Sequence, residues 1–170
     1  MKPLSAPQAY GLVVACAALL IDQAHKYWML NVFGIGQKPP IRLLPFLDVV
    51  LSWNHGVSYS LLTAHDDVAR LALLFFQLAI ILGLAVWLRR TNSAVTALGL
   101  GLVIGGALGN AADRLLRGAV ADFFYLHTTL PVGPLANYVF NLADVAITCG
   151  VAALLIEGLV ASEAPGKSSA

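Results

Sequence analysis

Long apolar runs alternate with short polar connections along this chain, and four of the runs are long enough to cross a bilayer. They extend from about Tyr10 to Met29, Val68 to Leu88, Ala94 to Leu115 and Leu142 to Val160. About 20 residues rising ~1.5 Å each cover the ~30 Å hydrocarbon layer. Backbone amides in lipid find no water, so such segments must pair internally as helices. Between the runs the pattern changes. The stretch Asn31 to Asp67 contains Ile41 to Trp53, β-branched and aromatic, which reads as strand with Pro45 confining part of it to an edge or bulge. Val57 to Leu61 can pair back after an Asn54-His55-Gly56 turn. Ala119 to Phe140 holds two more strand-like pieces around Pro131-Val132-Gly133-Pro134. The expected fold is membrane α-helical: one integral membrane domain, residues 1–170, with four transmembrane helices and a small β-sheet cap on one membrane face. The tail from Ala161 reads as disordered.

Composition agrees with that class. The chain is 59% hydrophobic and 11% charged, against about 45–50% and about 25% for a soluble domain. A net charge of +1 gives no electrostatic footprint for nucleic acid. Cys16 and Cys149 both lie inside apolar runs and read as packing residues. Only Lys2 precedes the first run, which continues through Asp22 to Leu30, so this helix reads as retained rather than as a cleaved signal peptide. Charge does not orient the chain: Lys2, Arg89, Arg90 and Lys167 fall on the terminus side, and Lys38, Arg42, Arg114 and Arg117 on the other. The Arg89-Arg90 pair leans mildly toward cytoplasmic termini.

The polar residues within and beside the spans converge at one depth. Spans one and three run the same way, and span four returns. Asp22 and Lys26 near the end of span one, Asn110, Asp113 and Arg114 at the end of span three, and Asn141 and Asp144 at the start of span four therefore share a level with Asp122. Asp22 with Lys26, Asn110 with Arg114, and Asp113 with Arg117 are each four residues apart, the spacing of pairs on one helix face. Neither Asp122 nor Asp144 has a basic residue at such a spacing. An ionisable group at hydrocarbon depth is costly and marks a candidate functional site. Two carboxylates that meet can share one proton and activate water. The Gly101-x-x-x-Gly105-x-x-x-Gly109 stripe reads as a close helix contact. His25, His55, His65 and His127 lack zinc-ligand spacing, and no Gly-x-Ser-x-Gly elbow occurs. A dyad of Ser58 or Ser60 with Lys26, an ion path, and a non-catalytic scaffold remain alternatives on this reading.

At these residues the chain resembles the lipoprotein signal peptidase (signal peptidase II) family. Four blocks match in order: Asp22-Gln23-x-x-Lys26; Asn54-x-Gly56; Gly105-Gly106-Ala107-Leu108-Gly109-Asn110-x-x-Asp113-Arg114 leading to Val120-x-Asp122-Phe123; and Phe140-Asn141-x-Ala143-Asp144. The resemblance implies a multi-pass enzyme of the bacterial cytoplasmic (inner) membrane, with cytoplasmic termini and an extracytoplasmic active site. It implies cleavage of diacylglyceryl-modified prolipoprotein just before the lipidated cysteine, with membrane lipid around the substrate and inhibition by globomycin. It implies Asp122 and Asp144 as the catalytic pair, with no metal or cofactor. Asn54, Asn110, Arg114 and Asn141 would position substrate or the pair; Asp22, Gln23, Lys26, Gly56, Asp113 and Ala143 would support them. Tyr138-Val139-Phe140 stands where the family often has Trp-Pro before Phe-Asn, a departure in the loop leading to span four.

Overall fold

A computed structural model describes residues 3–57, 62–63, 67–128 and 137–163. Four long helices carry the chain through the membrane. Helix α1 is Ala6–Tyr27, α2 Asp67–Leu88, α3 Ala94–Arg117 and α4 Leu142–Glu163. Among the described residues, four helices meet the length and hydropathy of membrane spans. The helix ends lie close to the sequence expectation, with two differences. The first span begins earlier and runs on through a π-helical turn at Trp28–Val32. The fourth continues as helix to Glu163, into the segment read as a disordered tail; residues 164–170 lie outside the described residues.

Helix α3 is the hub, and its glycines explain why. A Cβ on Gly101 would lie 2.5 Å from the Gly11 carbonyl oxygen of α1, and one on Gly106 would lie 2.5 Å from the Ala143 carbonyl oxygen of α4. Gly99 of α3 and Gly150 of α4 approach each other in the same way. Between helices already immersed in hydrocarbon, close backbone packing replaces the hydrophobic drive. The Gly101, Gly105 and Gly109 stripe thus makes the close contact expected of it, against α1, and a second set, Gly99 and Gly106, lies against α4. Gly106→Leu is expected to destabilise the fold by roughly 1–3 kcal/mol or more, because the obstructing atoms are backbone and cannot swing aside. Thermal unfolding in detergent measures this, and an unchanged midpoint would refute the close contact.

The sheet sits at the end of the bundle where α1 and α3 finish. After the π-helical turn, Gly34 takes a positive φ of 66°, a conformation that costs glycine little. A short 3₁₀ turn, Ile35–Gln37, then leads into the strands. Strand β1 is Ile41–Leu44, β2 Leu47–Asn54, β3 Gly56–Val57, β4 Leu62–Thr63, β5 Val120–His127 and β6 Asn137–Phe140. The main sheet has the order β1-β2-β5-β6, antiparallel throughout, and β3-β4 forms a separate hairpin.

One strand expectation holds and another needs correction. Pro45 with Phe46 makes the turn between β1 and β2, because its fixed φ suits a turn, and β1, the part of the run it cuts off, is the edge strand of the sheet, with a register shift between Arg42 and Leu44. The piece expected at Val57–Leu61 is instead Gly56–Val57 paired with Leu62–Thr63, and Ser58–Leu61 lie outside the described residues. The Pro131–Pro134 turn also lies outside them. Cys16 and Cys149 do not pack into the bundle either: both are exposed on its outer surface. Apolar runs in lipid need no inward face, so burial does not follow from hydrophobicity there.

Candidate active site

Asp122 is held from both sides of β5. It pairs in register with Ser52 of β2, just past a bulge between Val49 and Ser52, an irregularity that re-aims nearby side chains. Its Oδ1 accepts a hydrogen bond from Asn141 Nδ2 at 2.6 Å, and its Oδ2 accepts one from Asn54 Nδ2 at 3.4 Å. Asn54 can point its amide nitrogen inward because its Oδ1 is occupied by the Gly56 N–H at 3.1 Å.

Asp144 owes its position to a helix start. Asn141 precedes α4 and accepts the Asp144 N–H on its side-chain oxygen at 3.1 Å; the Asp144 carboxylate accepts the Asn141 N–H, also at 3.1 Å. This is a capping box in which an aspartate takes the usual glutamate place. It fixes the rotamer of Asp144 and sets its charge against the positive end of the helix dipole. Asn110 Nδ2 donates to its other oxygen at 3.0 Å. Asn141 therefore touches both aspartates. They share a cavity of about 190 Å³ with Asn54, Gly56, Asn110 and Arg114.

Asp122 is only 3% exposed. Burial, and next the charge of Asp144, raise its pKa from 3.8 to about 7; donors from Asn141 and Asn54 and the Lys26 charge oppose that rise. Two carboxyl groups so placed titrate as a pair, and burial together with the Asp144 charge favours the protonated form of Asp122 up to about pH 7.

A buried ionic layer lies beneath the pair. Lys26 is fully buried, and its Nζ donates to Asp22 Oδ2 at 2.9 Å, Asp113 Oδ2 at 2.9 Å and Asn110 Oδ1 at 3.1 Å. All three ammonium protons thus have acceptors. Asp22 Oδ1 in turn accepts the N–H of Ala143, and Asp113 Oδ2 the N–H of Ala121, at 3.0 and 3.1 Å. Those two amides immediately precede Asp144 and Asp122. One lysine thus links two clamps, each gripping the backbone beside one aspartate. Gln23 ties the layer together through Asp22, Asp113 and the Gly109 carbonyl, and Arg117 donates to Asp113. Asp113 with Arg117 therefore is the neutralising pair its spacing indicates. Ala143 is fully buried, and its Cβ lies 3.6 Å from where a Cβ on Gly109 of α3 would stand, so a small residue suits this position.

The structure thus gathers all twelve residues singled out in the sequence into the cavity or the layer below it. Two contributors escaped the sequence reading. Gln77 of α2 accepts from Arg114 at 3.0 Å and donates to the Ala107 carbonyl at 2.7 Å, so it aims the guanidinium. A lone amide amid Phe75-Phe76 and Leu78 was the available signal. Tyr138 lines the cavity from within the segment that departs from the family pattern. A larger hollow of about 470 Å³ lies at the far end of the sheet beside Asp48 and His127, away from both aspartates. Among the described residues, no three His, Cys, Asp or Glu side chains converge as a metal site.

Residues 14–160 match the family model described as Signal peptidase (SPase) II. The chain belongs to the signal peptidase II family. It is therefore a multi-pass membrane protease. It is 50% identical over 160 residues to the lipoprotein signal peptidase of Methylocella silvestris, covering 94% of this chain and 91% of that relative. It is 46% identical over 158 residues to the lipoprotein signal peptidase of Beijerinckia indica, covering 93% and 92%. In fold it is similar to a bacterial membrane enzyme solved by the in meso method at 2.3 Å resolution, with a TM-score of 0.77, 22% identity, and 95% and 94% of the two chains covered. A second such enzyme, solved at 1.9 Å, gives a TM-score of 0.72 at 25% identity, with 89% and 93% covered. The signal peptidase II resemblance seen in the four sequence blocks thus extends over nearly the whole chain.

Proposed function

We propose that this protein is an aspartic endopeptidase that removes signal peptides from diacylglyceryl-modified prolipoproteins, cutting just before the lipidated cysteine. The observation that carries the proposal is the joint placement of Asp122 and Asp144, both bonded to Asn141, on one small cavity at the sheet end of the bundle. Asp144 is the carboxylate that takes a proton from the attacking water. Asp122 is the acid that donates to the scissile carbonyl oxygen. The tetrahedral intermediate then collapses, and the leaving amine recovers a proton from the dyad. Arg114, Asn54 and Asn110 line the cavity and hold the peptide backbone across it. The substrate's own lipid keeps the bond at the depth of the dyad, so proximity comes from the membrane rather than from a deep pocket. The reading places the protein in the bacterial cytoplasmic membrane, termini inside and site outside, and requires no metal or cofactor.

Detergent-purified protein mixed with a diacylated prolipoprotein is expected to give a smaller product on a gel, and globomycin to suppress it. An intact substrate after long incubation would overturn the assignment. The dyad also sets a pH dependence. Burial and Asp144 hold the Asp122 proton to about pH 7, so kcat is expected to fall as pH rises through that value and the acid is lost. A rate that climbs steadily to pH 9 would remove Asp122 from the acid role.

A further inference from the structure

Arg114 reaches inward where an arginine near a helix end ordinarily reaches out. Long basic side chains at the ends of membrane helices snorkel toward the headgroups. Arg114 stands in the last turn of α3, yet its Nη1 donates to Gln77 Oε1 at 3.0 Å and to the Asn110 carbonyl, one turn earlier, at 3.4 Å. Gln77 Nε2 in turn donates to the Ala107 carbonyl at 2.7 Å. Ala107 precedes Arg114 by seven residues, which sets it about 10 Å further from the sheet end. An amide bonded to both holds the guanidinium on the bilayer side of its own Cα. Only one orientation of that amide serves, since a guanidinium accepts nothing and a carbonyl donates nothing.

Gln77 is the one side-chain amide between Leu71 and Leu88. It shares a face of α2 with Leu74 and Ile81, both buried, whereas Phe76 and Leu78 beside it are exposed. The amide is therefore turned into the bundle. Its two ends do different work. The nitrogen docks α2 on α3, as polar groups between membrane helices do. The oxygen occupies one end of the guanidinium. Arg114 lines the cavity of the two aspartates, and its buried Nε has no hydrogen-bond partner among the described residues. A buried N–H is costly to leave unpaired, and a carbonyl of a peptide lying across the cavity would supply the acceptor.

We infer that Gln77 is a positioning residue for the cleavage: acting through Arg114, it keeps the guanidinium in the cavity to hold the substrate backbone and prevents its escape to the headgroups. This rests on the reading of Asp122 and Asp144 as the catalytic pair with the peptide held beside them. Gln77 itself is not among the cavity walls, so its influence on substrate passes through the arginine.

The full-length protein in detergent, with a diacylated prolipoprotein peptide, tests this. Gln77→Met is expected to raise KM by on the order of tenfold, the effect of a lost hydrogen bond to a charged group, with a smaller fall in kcat. Gln77→Glu keeps an acceptor for Arg114 and loses the donor to Ala107, so it is expected to recover most of that KM loss. Both variants lose the Ala107 bond and should unfold at similarly lowered temperatures, which separates docking from positioning. A double-mutant cycle, read as the dissociation constant of the same peptide on Asp122→Asn protein, needs no turnover. There Gln77→Met is expected to weaken binding on the order of tenfold when Arg114 is present and less than about twofold in an Arg114→Met background. Equal weakening in both backgrounds, an unchanged KM in Gln77→Met, or a Gln77→Glu no better than Gln77→Met would each overturn the positioning role. Parent protein that cuts no diacylated peptide would instead overturn the proposed function, so the two failures are told apart.

Discussion

Asp122→Asn protein is expected to cut diacylated prolipoprotein about 10²–10⁴-fold more slowly than the parent, the range for a lost general acid–base group, and yet to unfold at a higher temperature above neutral pH. The two halves of this result have one cause. The folded state raises the Asp122 pKa from 3.8 to about 7, chiefly by burial and then by Asp144. Between these values the folded protein retains a proton that the unfolded chain has released. Folding stability therefore declines as pH rises from about 4 to about 7, and the whole cost is present above that window. Asparagine has no proton to lose and no charge to bury, and its amide oxygen can still accept from Asn141. The variant should gain most over the parent near pH 8 and almost nothing near pH 4. This pattern also separates catalysis from packing. If the aspartates were merely interhelical glue, their removal would lower the unfolding temperature and would spare any turnover in the molecules that remained folded. A variant that loses stability at every pH would point to that structural role.

Much of this architecture is legible in the sequence because lipid imposes harsh rules. Span length and the cost of an unpaired amide fix four helices to within a few residues, even without periodicity. The level shared by Asp22, Asn110 and Asp144 follows from counting along those helices. What the chain does not display is which residue across the gap completes each bond. Spacing pairs Lys26 with Asp22, but nothing in spacing brings Asp113 to the same ammonium. That contact exists because the Gly101–Gly105 stripe lets α3 approach α1 closely. Asn141 and Asp144 read as two helix-start residues three apart, whereas they form a reciprocal cap whose remaining donor reaches Asp122. Gln77 was hidden by a span that otherwise reads as pure lipid contact. The exposure of Cys149 could not be read from an apolar run, because the lipid-facing and bundle-facing sides of α4 are equally apolar.

Lys26→Met is expected to be the most destabilising single change at the site, by about 3–5 kcal/mol, the cost of stripping one partner from a buried ion pair. Asp22 and Asp113 are 1% and 0% exposed, so neither charge can turn to water once the ammonium is gone. The loss should be uneven. Asp113 keeps Arg117, Gln23 and the Ala121 amide as donors, whereas Asp22 keeps, among the described residues, Gln23 and the Ala143 amide. Removing the stranded charge as well, in Lys26→Met with Asp22→Asn, should therefore restore part of the unfolding temperature, and more than Lys26→Met with Asp113→Asn does. Activity should recover less than stability in both. The lysine also orients Asn110, whose other side-chain end donates to Asp144, and it anchors the clamps on Ala121 and Ala143 that space the two carboxyl groups. Methionine fills the volume but supplies none of these bonds. Equal rescue by the two double variants would show that Arg117 does not shield Asp113. An unfolding temperature for Lys26→Met equal to the parent's would show that the buried layer neither holds the bundle together nor sets the distance across which water is activated.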